Sequence, residues 1–419
     1  MYSLNKLKDY SVGIWGLGVE GKAVLEKLNA TFPEKEITIL DDTNAKDYVD
    51  KLDLIIKSPG VSIYKDEIKN AKKTIFITEK TIFYSEMKDA KTMTIGITGT
   101  KGKTTTSTFC NYILEKIGYK TLLTGNMGVP TIKLIDEAKT CDFIVTELSS
   151  YQTSDLQEFP KAGILLNLYP EHIDWHLTHE NYYKDKLHLL DGVEIMVSPY
   201  QKGDYNNQID YNSTNFDVIY KDGFWWKGEQ KLWDTTNMKL LGEHNYKNLS
   251  FVFTLLNKLN VDLSKIKQEY IDDFNPVEHR LEIVKKDGIV YVNDSICTIP
   301  EAAIACYKTF KDKNIYGILG GFDRQQDYTE LVQTIKEATN IKYLALLGET
   351  GDRLVKNCDE IGYKNYTKCE TFEECVKILK EKSSGDNNVA IILSPAAPSY
   401  GMFKNFEERG KVFKELITN

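Results

Sequence analysis

The stretch Thr94-Ile-Gly-Ile-Thr-Gly-Thr-Lys-Gly-Lys103-Thr104-Thr105 carries the clearest chemistry in the chain. An apolar strand runs into a glycine-rich turn that ends in Gly-Lys-Thr and opens a helix. Such a turn holds the phosphates of ATP or GTP: backbone N–H groups close around them, Lys103 supplies a point charge, and the Thr104 hydroxyl is placed to ligate Mg²⁺. The spacing departs from the strict P-loop, which wants Gly where Ile97 stands; glycines fall instead at Gly96, Gly99 and Gly102. The phosphate-binding residues expected are Gly99, Thr100, Lys101, Gly102, Lys103, Thr104 and Thr105.

Other polar clusters follow apolar runs. Glu147 ends one such run, where a phosphate-loop protein needs a Mg²⁺ ligand; a helix cap is the alternative. His172 stands beside Asp174 and after Asn167, so it reads either as a structural histidine or as part of a second metal site. Lys186 lies next to Lys184 on a helix, and chemistry alone makes both a solvated face. Asn245 and Asn248 share one helical face near its start, and an amide pair suits a purine edge. Arg280 could steady phosphoryl charge from another domain, with Asp294 nearby; a surface ion pair is the plainer reading.

These residues need a framework of strands and helices. Ser11 to Trp15, then Gly16-Leu17-Gly18-Val19-Glu20-Gly21, a helix, and a strand ending in Asp41-Asp42 have the layout of a dinucleotide fold. A glycine-turned joint without a ligand fits the same residues. No complete six-strand dinucleotide domain fits before residue 94, so a smaller nucleotide diphosphate is favoured over NAD. Past the phosphate loop, strands alternate with helices, which points to a parallel sheet with ligands at the carboxyl ends of its strands. Residues 204–233 read as a meander of short antiparallel strands. A second α/β unit begins near Pro276. The expected architecture is α/β in three domains: a Rossmann-like domain over 1–91, a central P-loop domain over 92–276 and a Rossmann-like domain over 277–419.

Composition narrows the class. A chain of 419 residues can form about two to four domains. A net charge of −8 argues against nucleic-acid or anionic-membrane partners. No apolar run of about 18 residues and no signal-like core is present, so a cytoplasmic protein is expected. The seven cysteines lack metal-site spacing and read as reduced.

Taken together the motifs resemble the Mur ligase family of peptidoglycan synthesis, and within it the glutamate-adding branch. The resemblance rests on Gly99–Thr105, Gly125-Asn-Met-Gly128, Glu147-Leu-Ser-Ser-Tyr-Gln152, Glu171-His-Ile-Asp174, Gly242–Asn248, His279-Arg280, Asn293-Asp-Ser295 and the tail Phe403-Lys-Asn-Phe-Glu-Glu-Arg-Gly410. It implies an ATP-dependent ligase whose first domain holds UDP-N-acetylmuramoyl-L-alanine through Gly16, Leu17, Gly18, Val19, Glu20, Asp42, Thr43, Ser58, Pro59 and Gly60, with Asn126 from the central domain. ATP would phosphorylate the alanine carboxylate, and glutamate would attack the acyl phosphate. The resemblance makes Lys103, Glu147, His172 and Lys186 catalytic. It implies two Mg²⁺ ions, held by Thr104, Glu147, His172 and a carbamoylated Lys186, which overturns the solvated-face reading. Asn245 and Asn248 would meet adenine, and Arg280 and Asp294 the phosphates and ribose. Thr298, Arg324, Ser399 and Phe406 would surround glutamate. A monomer is expected.

Three departures bear on the amino acid. Ile296 stands where the family usually has Lys, Arg324 where a Lys grips a glutamate carboxylate, and Ala397-Pro398-Ser399 where Cys-Ala-Ser is usual. These look like the branch that adds L-glutamate; D-glutamate still comes first, because its branch is the commoner, and L-glutamate second. Rival readings are a folylpolyglutamate-type ligase, which lacks the first domain and the Phe-Lys-Asn-Phe tail, an inactive binding protein, and a P-loop switch without ligase chemistry. For the switch, the guanine motif is missing: Asn257-Lys-Leu-Asn260 has no Asp.

Overall fold

The computed structural model describes residues 2–125, 129–169, 171–200, 216–275, 278–286 and 288–418. Asn126 and Pro276, together with residues 204–215 of the expected meander, lie outside the described residues. The chain divides into two compact units, Met1–Asn237 with Asn245–Phe274, and Met238–His244 with Asn275–Asn419.

The first unit holds two parallel sheets. Strands β1 (Val12–Trp15), β2 (Ile37–Leu40), β3 (Leu54–Lys57) and β4 (Ile75–Ile77) pair in the order β2-β1-β3-β4. Strands β5 (Met93–Thr98), β6 (Thr121–Gly125), β7 (Phe143–Glu147), β8 (Ala162–Leu165) and β9 (Ile195–Val197) pair in the order β6-β7-β5-β8-β9. In both sheets the central strands are buried on both faces, which is why they read as unbroken apolar runs. Residue 92, the expected boundary, falls between the sheets, and one core spans it. Val24 and Leu28 of helix α1 (Val19–Thr31) and Phe83 of helix α2 (Glu79–Met87) belong to the same buried cluster as Ile132, Ile144 and Leu148. Each such side chain contributes about 1.5–3 kcal/mol by leaving water, so the two sheets form one unit.

Two glycines show how the loops are built. A Cβ on Gly21 would lie 2.0 Å from the Gly16 carbonyl oxygen, so only glycine lets α1 start this close to β1. Gly102 takes φ +86° and caps helix α3 (Lys103–Lys116). Next come three short helices: α4 (Ser150–Thr153), α5 (Ile173–His176) and α6 (His179–Leu187). A reciprocal Ser149–Gln152 capping box starts α4, and the Thr178 hydroxyl caps α6 by accepting the Asn181 N–H. An antiparallel meander follows, β10 (Ile219–Lys221), β11 (Phe224–Lys227) and β12 (Gln230–Asp234). Helix α7 (Glu243–Lys258) buries Leu249, Phe251, Val252, Phe253, Leu255 and Leu256.

The second unit is a six-stranded sheet. Its strands are β13 (Glu282–Lys286), β14 (Ile289–Asn293), β15 (Asn314–Gly320), β16 (Ile341–Leu347), β17 (Tyr366–Cys369) and β18 (Val389–Leu393), ordered β13-β14-β18-β15-β16-β17. Only β13 runs antiparallel to its neighbour. Helix α8 (Phe406–Thr418) packs Phe413 and Ile417 into the core on one face of this sheet.

Candidate active site

The phosphate loop leaves β5, the central strand of its sheet, between β7 and β8. Asn167, just past β8, grips the loop. Its carbonyl accepts the Thr100 N–H at 2.8 Å, its Oδ1 accepts the Lys101 N–H at 2.8 Å, and its Nδ2 donates to the Lys101 carbonyl at 2.9 Å. Three lysine side chains gather around the loop. Lys103 Nζ donates to the Gly99 and Thr100 carbonyls at 3.0 Å, Lys186 Nζ donates to the Gly99 carbonyl at 2.9 Å, and Lys101 pairs with Glu171 at 2.9 Å. The loop's glycine turn and the N-terminus of α3 meet this positive cluster, a setting built for a polyanion. Thr104 is half-buried, whereas Thr105 is buried. On α7, the Asn248 amide lies against the loop: a Cβ on Gly102 would come within 2.4 Å of its Nδ2. Asn245 is buried one turn earlier.

Glu147 is buried at the tip of β7, paired in register with Ile97 of β5 and Gly125 of β6. His172 takes φ +55° ahead of α5, with its Nε2 3.7 Å from Glu171. Burial pushes the imidazole down to about 4, against the pull of Glu171 and with the charges of Lys186, Lys101 and Lys103. At neutral pH it is therefore neutral, the form that binds metals. The Glu171 carboxyl is lowered as well: burial raises it, but Lys101, His172 and Lys103 together pull it down to about 2. Asp174 is exposed.

Lys186 is 2 % exposed while its neighbour Lys184 is exposed. The solvated face that chemistry alone suggested therefore holds for Lys184 and is wrong for Lys186. The cause is a helix register that turns Tyr182 and Lys186, one turn apart, toward the phosphate loop. Burial, and then the charge of Lys103, hold the Lys186 amine well below the usual ammonium range. The donor set fits Mg²⁺ in part: Thr104 and Glu147 offer oxygen, His172 offers a neutral nitrogen, and a protonated Lys186 would oppose a cation.

A cavity of about 940 Å³ opens at the carboxyl ends of β1, β2 and β3. Its walls include Gly16, Gly18, Val19, Glu20, Asp42, Thr43, Ser58, Pro59 and Gly60, and on the other side Gly125, Pro130, Ser149, Tyr151 and Gln152. Leu17 is exposed and does not line it. Asp42 is held by Trp15 Nε1 at 3.1 Å and Lys65 at 3.0 Å. Glu20 accepts hydrogen bonds from Gln152 Nε2 at 2.6 Å and from Lys80 Nζ at 3.1 Å. Lys80 is fully buried and also pairs with Glu79 at 2.6 Å. Nothing in the sequence marked Lys80, which sits in a plain helical run.

In the second unit, Asp294 is 5 % exposed, and its two oxygens accept the Ser394 hydroxyl at 2.7 Å and the Leu281 N–H at 3.2 Å. Burial raises its carboxyl to about 6, against the pull of Ser394 and Arg280. Arg280 is half-buried and faces His244, which burial and then Arg280 hold down at about 4. Thr298 is half-buried and Ser399 is buried. The Arg324 guanidinium is exposed and lies 5.7 Å from the Tyr400 ring. The Phe406 carbonyl accepts the Ser295 hydroxyl at 2.8 Å. Arg409, buried to 1 %, ties these loops together. It donates to Ser295 Oγ at 3.0 Å and to the carbonyls of Ser295 at 2.8 Å and Ala397 at 3.1 Å. Its place in the Phe-Glu-Glu-Arg-Gly tail was the available signal.

Comparison with known proteins agrees with this arrangement. Residues 97–256 match the Mur ligase middle domain, and residues 279–395 match the Mur ligase glutamate ligase domain. The chain is 31% identical over 412 residues to the UDP-N-acetylmuramoylalanine--D-glutamate ligase of Francisella tularensis subsp. novicida, covering 96% of this chain and 94% of that one. It is 30% identical over 454 residues to the UDP-N-acetylmuramoyl-L-alanine--L-glutamate ligase of Salinispora tropica, covering 99% of this chain and 98% of that one. Among solved structures, the UDP-N-acetylmuramate-alanine ligase MurC of Thermotoga maritima shares the fold, with a TM-score of 0.59 at 18% identity over 98% of this chain and 99% of that one. No described helix is long and apolar enough to cross a membrane. With its phosphate loop, its strand-end cavity and relatives matched along nearly their whole length, the chain belongs to the Mur ligase family.

Proposed function

We propose that the chain joins glutamate to UDP-N-acetylmuramoyl-L-alanine at the expense of ATP, in the cytoplasmic assembly of peptidoglycan precursors. One observation carries this reading: the segment that follows Glu147 is itself a wall of the nucleotide-sugar cavity, through Ser149, Tyr151 and Gln152. A substrate held there lies beside the strand that presents the candidate metal carboxylate next to the phosphate loop.

The residues would divide the work between them. Gly99 to Thr104 and the N-terminus of α3 bind the ATP phosphates, and Lys103 neutralises charge as the γ-phosphoryl passes to a carboxylate oxygen of the alanine. Glutamate's amine then attacks the acyl carbon, phosphate leaves, and the amine gives up a proton. Asn245 and Asn248 face the nucleotide. The family resemblance assigns Arg280 and Asp294 to the nucleotide, and Thr298, Arg324, Ser399 and Phe406 to glutamate. Thr104 and Glu147 would hold one Mg²⁺ and His172 a second; the ions supply charge neutralisation at the phosphoryl oxygens. The depressed Lys186 amine suits carbamoylation, since only a neutral amine adds carbon dioxide, and the product is an anion beside a cation site.

Two readings of the handedness each rest on an observation. D-glutamate is supported by the D-glutamate ligase of Francisella at 31% identity. L-glutamate is supported by relatives in Salinispora and Xanthomonas matched over 99% of this chain, and by Ile296, Arg324 and Ala397-Pro398-Ser399. Arg324 can grip a carboxylate bidentately in either case. The test is ADP release by the purified protein with UDP-N-acetylmuramoyl-L-alanine and each enantiomer of glutamate separately. Turnover with neither would refute the proposal, and turnover with one assigns the branch.

A further inference from the structure

Beyond the residues already assigned, one set of polar side chains forms an unbroken hydrogen-bonded line. The Tyr64 hydroxyl donates to Asp185 Oδ1 at 3.0 Å, Asp185 Oδ2 lies 2.5 Å from His176 Nδ1, and His176 Nε2 lies 3.0 Å from Ser150 Oγ. Ser150, His176 and Asp185 have the connectivity of a hydrolase triad. Nucleophilic work is ruled out by access: Ser150 is 2 % exposed and His176 fully buried, so no carbonyl can reach the hydroxyl. What the line does is join four segments: the loop after β3, α6, α5 and the start of α4.

That loop is the one whose residues Ser58, Gly60 and Val61 line the nucleotide-sugar cavity. Two further bonds fix it to α5: Trp175 Nε1 donates to the Gly60 carbonyl at 3.2 Å, and the Ser62 hydroxyl donates to the Trp175 carbonyl at 2.8 Å. On α6, the residues around Asp185 face the phosphate loop. The Tyr182 hydroxyl lies 2.7 Å from Thr100 Oγ1, and Lys186 Nζ donates to the Gly99 carbonyl. The His176 ring packs edge-on against Tyr182, with centroids 5.2 Å apart at 80°. Helix α6 is thus held by the cavity's loop through Asp185 and by the phosphate loop through Tyr182 and Lys186.

We propose that Tyr64, Asp185, His176 and Ser150 form a positioning relay through which the nucleotide-sugar cavity sets Tyr182 and Lys186 against the phosphate loop, so that ATP binding is coupled to occupancy of the cavity. The relay rests on reading the cavity as the UDP-substrate site and the loop as the ATP site. Its members touch no reacting atom, so they are positioning residues. Because coupling between two sites is reciprocal, it is measured as the ratio of one ligand's affinities with and without the other.

The sharpest variant is Tyr64→Phe. It deletes one oxygen, leaves the ring edge-to-face on Trp175 at 6.2 Å, and alters no residue of the cavity wall or the phosphate loop. Calorimetry on the full chain would give the Kd of a non-hydrolysable ATP analogue with Mg²⁺, alone and with saturating UDP-N-acetylmuramoyl-L-alanine. The wild type should bind the analogue about tenfold tighter with the UDP substrate present. Tyr64→Phe should match the wild type for each ligand alone, but its ratio should fall below about threefold. Asp185→Asn should lower the ratio in the same way. A wild-type ratio of one, or a Tyr64→Phe ratio equal to wild type, overturns the relay, because a merely structural role would shift the thermal midpoint and leave the ratio unchanged. Failure of either ligand to bind the wild type at all removes the functional reading itself, and the relay with it.

Discussion

Asp294→Asn should make the second unit more stable and the enzyme slower. The side chain is 5 % exposed, and burial raises its carboxyl from the ordinary 3.8 to about 6. An acid whose folded pKa lies above its unfolded value favours the fold only while protonated. Its contribution is complete below about pH 4, is lost as pH rises through about 6, and stays lost above that. The shift of about 2 units corresponds to about 3 kcal/mol at neutral pH. Asparagine keeps both contacts: its carbonyl oxygen can accept the Leu281 N–H, and its amide can donate to Ser394 Oγ. The variant should therefore gain up to about 3 kcal/mol at pH 7.5, with the gain vanishing near pH 4. Thermal denaturation of both proteins across pH 4–8, followed in the second unit's transition, measures this directly. If this carboxylate is retained for its charge in the reaction, as the family resemblance implies, turnover should fall at least tenfold. A variant that is equally stable at every pH, or less stable above pH 6, would refute the reasoning about burial.

Three further outcomes follow from the first unit. Lys80→Met strands the buried Glu79 carboxylate and the half-buried Glu20 carboxylate without their cation; it should cost about 3–5 kcal/mol, and Glu79→Gln added to it should recover part of the loss in a denaturation cycle. Gly102→Ala would press a Cβ to within 2.4 Å of Asn248 Nδ2 at a left-handed φ, so KM for ATP should rise about tenfold or more while binding of the UDP substrate stays at wild-type strength. Lys186→Ala should abolish turnover, and wild-type activity should rise with added bicarbonate after carbon dioxide is stripped from the buffer; full activity of the alanine variant would exclude the carbamate.

How legible the molecule was in its sequence depended on where each segment sits. Strands buried on both faces, such as β1, β5 and β7, read directly as apolar runs ending in turn residues. The strands that escaped notice are β4, β9 and β17, and all three are sheet edges. An edge strand is short and keeps one side toward solvent, so its apolar signal is broken; Tyr366-Thr-Lys-Cys369 is largely half-buried. The phosphate loop and the turn at Gly16–Gly21 were legible because close backbone approach demands glycine. Chemistry alone did not mark Lys186, which only the family resemblance singled out, since its burial depends on the rotation of α6 and its lowered amine on that burial and on Lys103, far away in sequence. The same holds for Lys80, whose partners Glu20 and Glu79 are assembled only by packing, and for the His176–Asp185 contact, made across the joint between α5 and α6.

In the proposed reaction ATP is spent only on a carboxylate delivered by the nucleotide-sugar cavity. ADP release by the purified protein, measured with ATP and Mg²⁺ while UDP-N-acetylmuramoyl-L-alanine and glutamate are each supplied or withheld, tests it most directly. Sustained ADP release is expected only when both are present. Equal ADP release in the absence of the UDP substrate would contradict it.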